Sequence, residues 1–540
     1  MWCVKLLVTL NSNVMKISKM LRTVSGSSLL LAGLVFVNQA CTEQTQVDSQ
    51  PVPLVSQPNQ IFYALTSDNK IYELNVQNPG TPIRTLTISA GLEPDEKLLG
   101  IDFRPATGQL YAVGNKNHIY TVNLRADINP GRVTVVSPVP FNPGISGPEV
   151  VGFDFNPTVD RIRLVTNTAQ NLRLHPETNA LVALDGYLKG YNDVKVAAAA
   201  YTNNVAGATT TQLYDIDPDV DKLFLQMPPN DGVLKEVGPL GMDIQDIGGF
   251  DIASGTNFAI VSVKVNNIWE LAEVNLTTGS LLKIGNLPAG KIIGIAMPTA
   301  PVAYAVDASN KLLIFNPMSA GTRIEKPITG LPQGVNIEGI DFRPTDGKLH
   351  ALGSDGKLYS LDLATAASKA LAPLHYLDDP NFKVMGTSFG FDFNPVADRL
   401  RIVSNTGQNL RINVSSGITL VDGALKLVAG PGTPFVNAAA YTNSFAGTTS
   451  TVLYDIDSES NSLFKQNPPN DGGLERIGAL GVDVDAANGF DIGGTTGMAY
   501  ALLTVGGNTG LYSINLTNGS ATKVSDFAGS VKGFALGFGL

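Results

Sequence analysis

The sequence predicts an all-β protein that consists of two tandem β-propeller units. A hexapeptide motif, Gly-Phe-Asp-Phe-Asn-Pro at 152–157, returns at 390–395. Related motifs recur inside each half of the chain, and strand-like segments alternate with turn sequences between them. A period of about 40–50 residues with strand-like content is typical of propeller blades.

A duplication accounts for the two halves of the chain. Asp154 returns as Asp392, 238 positions later, and the offset reaches 240 in the later part of the unit. Loop sequences such as Pro-Pro-Asn-Asp-Gly return as well. Because the offset changes by only two positions, the copies differ by few insertions. We therefore predict two homologous units, at residues 59–297 and 301–540.

Each unit is predicted to contain about five four-stranded blades. Asp102 and Asp154 are 52 positions apart, and Asp251 follows 97 positions later, close to two further blade lengths. Six blades per unit is an alternative if one blade is split across the ends of the unit. A single ten-bladed ring is a further alternative, which the completeness of the two copies disfavours. The predicted blades begin near residues 59, 98, 148, 196 and 246, and near 301, 337, 386, 436 and 486.

The strands are predicted from apolar segments that flank short turn sequences. Residues 60–65 and 70–75 are separated by Ser-Asp-Asn, and residues 110–113 and 118–122 follow the same plan. Aspartate, asparagine and glycine tolerate the positive φ angles that tight hairpins require. Beyond the N-terminal segment, the apolar residues do not follow the 3.6-residue period of a helix.

Composition excludes several classes of protein. Only 16% of the 540 residues are charged and 44% are apolar, which indicates an ordered chain rather than a disordered one. The net charge of −10 argues against a nucleic-acid partner, which would require clustered basic residues. Both cysteines, Cys3 and Cys41, precede the two units, so we predict neither disulfides nor thiolate metal sites in the folded part.

Residues 1–41 resemble a lipoprotein-type bacterial signal peptide. Basic residues precede a short apolar segment at 29–37, and a polar stretch follows Ala40-Cys41. In such signals the cysteine becomes the lipidated first residue, and residues 42–58 would form a flexible tether. We predict a protein of the bacterial cell envelope, in the periplasm or at the outer membrane, held to the membrane only by a lipid on Cys41. Without that lipid the protein would be secreted.

Aspartates of the recurring motif are predicted to have a structural role. In a strand, Phe153 and Phe155 face one side and Asp154 faces the other. The phenylalanines would pack between blades, and the aspartate would accept hydrogen bonds from backbone N–H groups. The alternative places these carboxylates around a central channel as metal ligands. The six aspartates are Asp102, Asp154, Asp251, Asp341, Asp392 and Asp491.

The most distinctive polar motif is Asn-Thr-x-Gln-Asn-Leu-Arg, which occurs once in each unit. Amide and guanidinium groups bind sugars, carboxylates or backbone carbonyls. The simpler interpretation is a hydrogen-bonded turn between two strands. The candidate ligand-binding residues are Asn167, Gln170, Asn171, Arg173, Asn405, Gln408, Asn409 and Arg411.

Sequence motifs of catalysis and metal binding are scarce. None of the four histidines has a counterpart in the other unit, and no nucleophile elbow, Walker loop or zinc-protease helix occurs. An aspartate-rich segment at 215–221 is similar to a calcium loop but has Val220 where that loop has glycine, so we predict a polar hairpin turn. We assign no catalytic residue, no metal site and no cofactor.

The ordered set of motifs resembles the bacterial domain of unknown function 4394. The motifs include Gly-Ile-Asp-Phe-Arg-Pro, Gly-Phe-Asp-Phe-Asn-Pro, Asp-Arg-Ile-Arg-Leu-Val, Ala-Ala-Tyr-Thr-Asn and Leu-Tyr-Asp-Ile-Asp. The resemblance covers about residues 59–297 and 301–540. It implies an exported, propeller-like protein and brings no activity or catalytic residues with it.

The functional prediction is a lipid-anchored propeller protein that acts as a binding or scaffold module for a protein or glycan partner. The alternative is a hydrolase or lyase that acts on a saccharide through acidic residues in the propeller channel. A third hypothesis is a calcium-stabilised adhesion module.

Overall fold

The computed structural model describes residues 57–88, 90–147, 151–319, 322–376 and 383–540. Residues 57–540 form one compact unit. The predicted signal peptide, Cys41 and nearly all of the predicted tether lie outside the described residues. No helix in the described part of the chain is long and apolar enough to cross a membrane.

The described chain forms ten sheets, arranged as two rings of five blades. In the first ring, the strands are β1 (Ile61–Thr66), β2 (Lys70–Asn75), β3 (Arg84–Thr87), β4 (Leu98–Arg104), β5 (Gln109–Gly114), β6 (Ile119–Val122), β7 (Val133–Val135), β8 (Val151–Asn156), β9 (Arg161–Thr166), β10 (Asn171–Leu174), β11 (Leu181–Leu184), β12 (Ala198–Tyr201), β13 (Leu213–Asp217), β14 (Lys222–Gln226), β15 (Leu234–Pro239), β16 (Asp246–Ile252), β17 (Ala259–Val265), β18 (Ile268–Val274), β19 (Leu281–Asn286) and β20 (Ile292–Ala296).

Among the described residues, each ring contains one short 3₁₀ turn, at Pro229–Asp231 and Pro469–Asp471, and the second ring repeats the arrangement of the first. Its strands are β21 (Ala303–Asp307), β22 (Lys311–Phe315), β23 (Arg323–Pro327), β24 (Ile337–Phe342), β25 (Leu349–Gly353), β26 (Leu358–Leu361), β27 (Ser368–Ala370), β28 (Phe389–Asn394), β29 (Arg399–Ser404), β30 (Asn409–Ile412), β31 (Thr419–Val421), β32 (Lys426–Leu427), β33 (Val436–Tyr441), β34 (Leu453–Asp457), β35 (Ser462–Gln466), β36 (Gly473–Ala479), β37 (Ala486–Ile492), β38 (Ala499–Val505), β39 (Asn508–Ile514), β40 (Ala521–Asp526) and β41 (Val531–Leu536).

Each ring is closed by its last strand, which becomes the innermost strand of the first blade. β20 pairs antiparallel with β1, and β41 pairs antiparallel with β21. The other four blades of each ring run outward in sequence order, and one blade of the second ring gains a fifth strand, β32, which pairs parallel with β36.

The prediction of five blades per unit is confirmed, and the alternative of one ten-bladed ring is wrong. The inner strands of the first ring neighbour one another in the closed order β20, β4, β8, β12 and β16. The second ring closes in the same way through β41, β24, β28, β33 and β37. The predicted start of every blade lies within three residues of its first strand in sequence.

The hydrophobic core lies between the faces of adjacent blades. Phe153 and Phe155 share one face of β8 and pack against the neighbouring blade, where the Tyr111 and Phe155 ring centroids are 5.2 Å apart. Burying an aromatic side chain of this size stabilises the fold by about 2–3 kcal/mol. The alternation of the motif therefore leaves the intervening aspartate on the opposite face, as predicted.

Close approach of the inner strands explains the glycine of the motif. A Cβ atom on Gly152 would lie 2.7 Å from the Cβ of Ala199 on the next inner strand. Gly390 has the same relation to Ala439, at 2.6 Å. Real Cβ atoms do not approach so closely, so these positions require glycine and the centre of each ring is narrow.

The two rings contact each other within the same compact unit. The Tyr304 hydroxyl of the second ring donates a 2.7 Å hydrogen bond to the carbonyl oxygen of Ala106 in the first. Near the end of the chain, the Gly539 N–H donates to the carbonyl oxygen of Thr107 at 2.9 Å. Since Ala106 also packs among core residues of the second ring, the contact includes buried apolar surface.

Candidate functional site

Three buried carboxylates converge at the centre of each ring. In the first ring they are Asp102 on β4, Asp154 on β8 and Asp251 on β16, and one oxygen from each lies within 4.8 Å of the others. The second ring repeats the cluster with Asp341, Asp392 and Asp491. All six aspartates of the recurring motif therefore meet in two equivalent clusters. Their side chains are buried, with exposed fractions of 4% or less.

Each carboxylate accepts a hydrogen bond from the backbone of an adjacent inner strand or the residue that follows it. This bond joins two blades where their inner strands are closest. It is a bond from a backbone N–H group to a motif aspartate, the type of bond expected from the sequence. The bonds are Phe155 N to Asp102 (2.8 Å), Tyr201 N to Asp154 (3.2 Å), Met297 N to Asp251 (2.5 Å), Phe393 N to Asp341 (2.8 Å), Tyr441 N to Asp392 (3.0 Å) and Leu536 N to Asp491 (2.6 Å).

Burial raises the pKa values of all six carboxyl groups. Loss of water is the largest cause, and for Asp102 the next cause is the nearby charge of Asp251. The pKa of Asp251 rises to about 7 and that of Asp491 to about 6. The pKa of Asp154 is raised well above its usual range. Carboxylates at this spacing titrate together, so each cluster retains shared protons near neutral pH.

The geometry of the clusters also suits a small hard cation. Such ions bind several carboxylate oxygens at short distance, and a cation would relieve the same repulsion that the shared protons relieve. Both chemistries are compatible with three oxygens within 4.8 Å. The structural role assigned to the six aspartates and the expectation of no metal site stay predictions.

The narrow centre of the first ring leaves no room for a saccharide beside the glycines of its inner strands. The free space beside Gly100, Gly152 and Gly249 amounts to about 10 Å³. That volume is no larger than one water molecule needs. Glycoside hydrolysis requires both carboxyl groups to flank the scissile bond, so the closed centre gives the enzymatic alternative no geometric support.

A buried arginine organises the polar motif. Arg163 on β9 donates hydrogen bonds to Asn171 (2.6 Å), Asp185 (2.6 Å) and Asn230 (2.8 Å), and to the hydroxyl of Tyr201 (3.3 Å). Its side chain is 1% exposed, so these partners replace water almost completely. The second ring repeats the contacts with Arg401, Asn409, Asp422, Asn470 and Tyr441.

The structure brings two of the predicted ligand-binding residues of each unit into this cluster. Asn171 is fully buried and its amide group also donates to two loop carbonyls. Arg173 binds both carboxylate oxygens of Asp185, at 2.7 and 2.9 Å. Both side chains therefore already hold internal partners.

In the first ring, Gln170 holds the loop that precedes its blade. Gln170 accepts from the N–H of Ser146 and donates to the carbonyl of Gly144, both at 2.9 Å. The carbonyl oxygen of the Asn167 side chain is buried and has no hydrogen-bond partner among the described residues. Ligand binding by this set stays a prediction. In the second ring, Asn405 binds Thr387, Gln408 binds Lys383 and Met385, Asn409 binds Gly423 and Pro469, and Arg411 binds Asp422.

One pair of buried acids was not predicted from the sequence. Asp215 and Asp455 are fully buried on β13 and β34, and neither carboxylate has a hydrogen-bond partner among the described residues. Burial raises the pKa of each to about 8. The predicted polar turn is found only at 218–221, because the Leu-Tyr-Asp-Ile-Asp segment is a strand. Leu213 and Asp215 are two positions apart, and this strand-like period of two was the sequence signal that could have predicted the strand.

The family model for the domain of unknown function DUF4394 matches residues 70–296 and again residues 311–535. The chain belongs to the DUF4394 family. The resemblance drawn from the ordered motifs is therefore confirmed, including the two tandem copies.

Three solved structures are similar to this DUF4394 chain. PorZ, described as an essential bacterial surface component of the type-IX secretion system of Porphyromonas gingivalis, is 12% identical over 86% of this chain, with a TM-score of 0.25. The chain spans only 58% of the length of PorZ. A protein from Lactobacillus plantarum is 16% identical, covering 63% of this chain and 98% of its own, with a TM-score of 0.26.

The third structure, U3-55K, is 11% identical to the DUF4394 chain, covering 76% of this chain and 90% of its own, with a TM-score of 0.23. No curated protein matches the sequence. At these identities and TM-scores, the similar structures do not indicate a function for this protein.

Proposed function

We propose that this DUF4394 protein is a non-catalytic binding or scaffold module of the bacterial cell envelope. It is held there by a lipid on Cys41, and its partner is a protein or a glycan. Two equivalent rings on one chain provide two copies of each surface, which suits a module that engages a partner at more than one point.

The observation that carries the proposal is an exposed apolar edge that both rings share. β11 is the outermost strand of its sheet, and Val182 and Leu184 on it are 46% and 47% exposed. β31 occupies the same place in the second ring, where Leu420 and Val421 are also exposed. Outer strands with apolar side chains present both a backbone edge and a hydrophobic surface to a partner.

The surroundings of the edge in the first ring extend this apolar surface. Tyr187 is 60% exposed just after β11, and its carbonyl group lies close to Gly232 at the start of the next outer segment. Met227, half exposed, is joined to that segment by a hydrogen bond from its N–H to Val233. A protein segment that adds to this edge would therefore bury side chains from two blades.

Photocrosslinking in intact envelopes tests the proposal. A photoreactive residue replaces Leu184 or Val421 in the full chain, and a matched control replaces Leu282, which is 56% exposed on β19, the outer strand of another blade. We expect the same discrete adduct from positions 184 and 421, and none from position 282.

Two outcomes would contradict the proposed function. The first is equal labelling at all three positions, which would show that the shared edge is not selective. The second is turnover of an envelope saccharide that Asp154→Asn abolishes while the variant stays folded. Incorporation of labelled fatty acid, lost in Cys41→Ala, tests the anchor separately.

A further inference from the structure

A cavity of about 150 Å³ lies between the two rings and is partly open to solvent. It is bounded by the connection between the rings, at Pro298 and Thr299, and by Phe538 and Gly539 near the chain end. We propose that this inter-ring cavity binds one neutral sugar unit of a glycan. The inference rests on the proposed function, because it assigns a ligand class to the binding module.

Aromatic side chains from both rings line the cavity. Tyr63 and Phe103 come from the first ring, with centroids 5.5 Å apart, and Phe445 and Phe538 come from the second. Small-molecule sites combine such apolar walls with a few polar groups that fix orientation. The C–H face of a pyranose ring packs on aromatic side chains, whereas its hydroxyl groups require hydrogen-bond partners.

Three lining residues supply polar groups without internal partners. The hydroxyl oxygen of Thr299 is buried and has no hydrogen-bond partner among the described residues. The Gln109 amide and the Thr121 hydroxyl likewise form no side-chain hydrogen bond within the described chain. Amides and hydroxyls both donate and accept, which matches the hydroxyl groups of a sugar. A buried polar atom without a partner costs free energy, which a bound hydroxyl group recovers.

The electrostatics of the cavity favour an uncharged ligand. Among the described lining residues, only Arg84 and Tyr63 ionise. Arg84 is already neutralised by Glu73, at 2.6 Å, and also donates to the carbonyl of Leu124. Burial raises the pKa of Tyr63 to about 12, so its hydroxyl stays neutral. An acidic sugar would therefore lose its hydration without gaining a counter-ion.

The size of the cavity limits what it can enclose. An apolar protein cavity of about 150 Å³ accommodates one benzene molecule. A hexopyranose has about twice the heavy atoms of benzene, so the inter-ring cavity holds the sugar ring, while its outer substituents and the remainder of a longer glycan would extend through the opening.

Binding of defined sugars to the full chain tests the site. The probes are glucose, galactose and N-acetylglucosamine, with glucuronate as the charged comparison, measured by ligand-observed NMR titration. We expect a neutral probe to bind, and Gln109→Ala or Thr121→Ala to weaken binding about three- to tenfold through loss of one hydrogen bond. Thr299→Val, which preserves side-chain size, should weaken it similarly.

The duplication provides a matched control. Ser360 on β26 is the counterpart of Thr121 in the second ring and does not line this cavity. Ser360→Ala should leave the dissociation constant unchanged, and the unfolding midpoint of every variant reports whether the fold is intact.

Three results would overturn the inference: no neutral probe binds, glucuronate binds more tightly than the neutral probes, or Ser360→Ala weakens binding as much as Thr121→Ala. Partner adducts at Leu184 without sugar binding would refute only this site. Loss of both sugar binding and selective adducts would refute the proposed function as well.

Discussion

The carboxylate of Asp102 accepts a 2.8 Å hydrogen bond from the backbone N–H of Phe155, which lies on the inner strand of the next blade. Its other oxygen accepts from the N–H of Phe103 at 2.7 Å. One side chain therefore satisfies two buried backbone donors. It also joins two blades that share no ladder of hydrogen bonds among the described strands.

Asp102→Ala should destabilise the protein by about 2–4 kcal/mol, because two buried N–H groups lose their acceptor. The free energy of unfolding in urea measures the effect. Asp102→Asn keeps one acceptor oxygen and should cost less. A loss below about 0.5 kcal/mol for the alanine variant would show that these bonds do not hold the blades together.

Stability should fall as the pH rises from 5 to 8. A carboxyl group whose pKa is higher in the folded than in the unfolded state contributes stability below its unfolded pKa and loses it as the pH rises through the folded value. Asp491 and Asp251, with pKa values of about 6 and 7, place this loss in that range. We expect a decrease of about 2 kcal/mol or more in the free energy of unfolding.

His175 opposes this trend at the acid end. Burial lowers its pKa to about 4, so its contribution is present above its unfolded pKa and is lost as the pH falls through 4. Because Asp251 and Asp491 together lose more stability per pH unit than His175 gains, the expected stability maximum lies near pH 4. Stability that rises steadily from pH 5 to pH 8 would contradict the assigned protonation of the carboxylate clusters.

Asp215→Asn should stabilise the protein by about 1–3 kcal/mol at pH 8 and have little effect at pH 4. The folded state holds Asp215 without a partner and raises its pKa to about 8, so it must stay protonated or be ionised without compensation. Urea unfolding at the two pH values measures the difference.

Asp217→Asn provides the control for that variant. Asp217 lies two residues further along β13 and accepts hydrogen bonds from the Tyr191 hydroxyl and the Lys195 N–H. The Asp217→Asn variant should therefore be less stable than the unmodified protein at pH 8, not more stable. A gain from both substitutions would mean that charge alone, and not the missing partner, decides the effect.

Arg163→Leu should cost about 3–5 kcal/mol, because Asp185, Asn171 and Asn230 lose a buried donor together. Arg161, on the same strand, donates to the nearby carbonyl groups of Val159 and Asp160, so Arg161→Leu should cost less than about 1 kcal/mol. Thermal unfolding compares the pair, and equal losses would refute the assigned role of the buried cluster.

Chelation of divalent cations should leave the unfolding midpoint unchanged at pH 6. Shared protons and backbone N–H groups already compensate the carboxylates of Asp102, Asp154 and Asp251. A midpoint that falls with chelator and returns with calcium would instead identify the two clusters as cation sites.

The repeat made the architecture predictable, whereas the contacts between distant blades were not. The alternating phenylalanines of Gly-Phe-Asp-Phe predicted the inter-blade core from strand geometry. The narrow centre, which requires the glycine of the motif, was found only in the structure. The burial of Asp215 was not predicted, because the sequence analysis placed it in a polar hairpin turn and its burial depends on packing against a neighbouring blade. Gln109 and Phe445, 336 positions apart, line the same cavity from different rings, and no local sequence pattern predicts that proximity.

Ring closure by β20 and β41 has a consequence for circular permutation. Since each ring begins and ends in the same sheet, the two ends of a unit lie side by side, and joining them would preserve every strand pair. If new chain ends were then placed between any two blades, all four strands of the first blade would come from one continuous segment of the chain. By contrast, a chain shortened to end before Ile292 would lack β20, so β1 would lose its inner partner strand and the ring would not close.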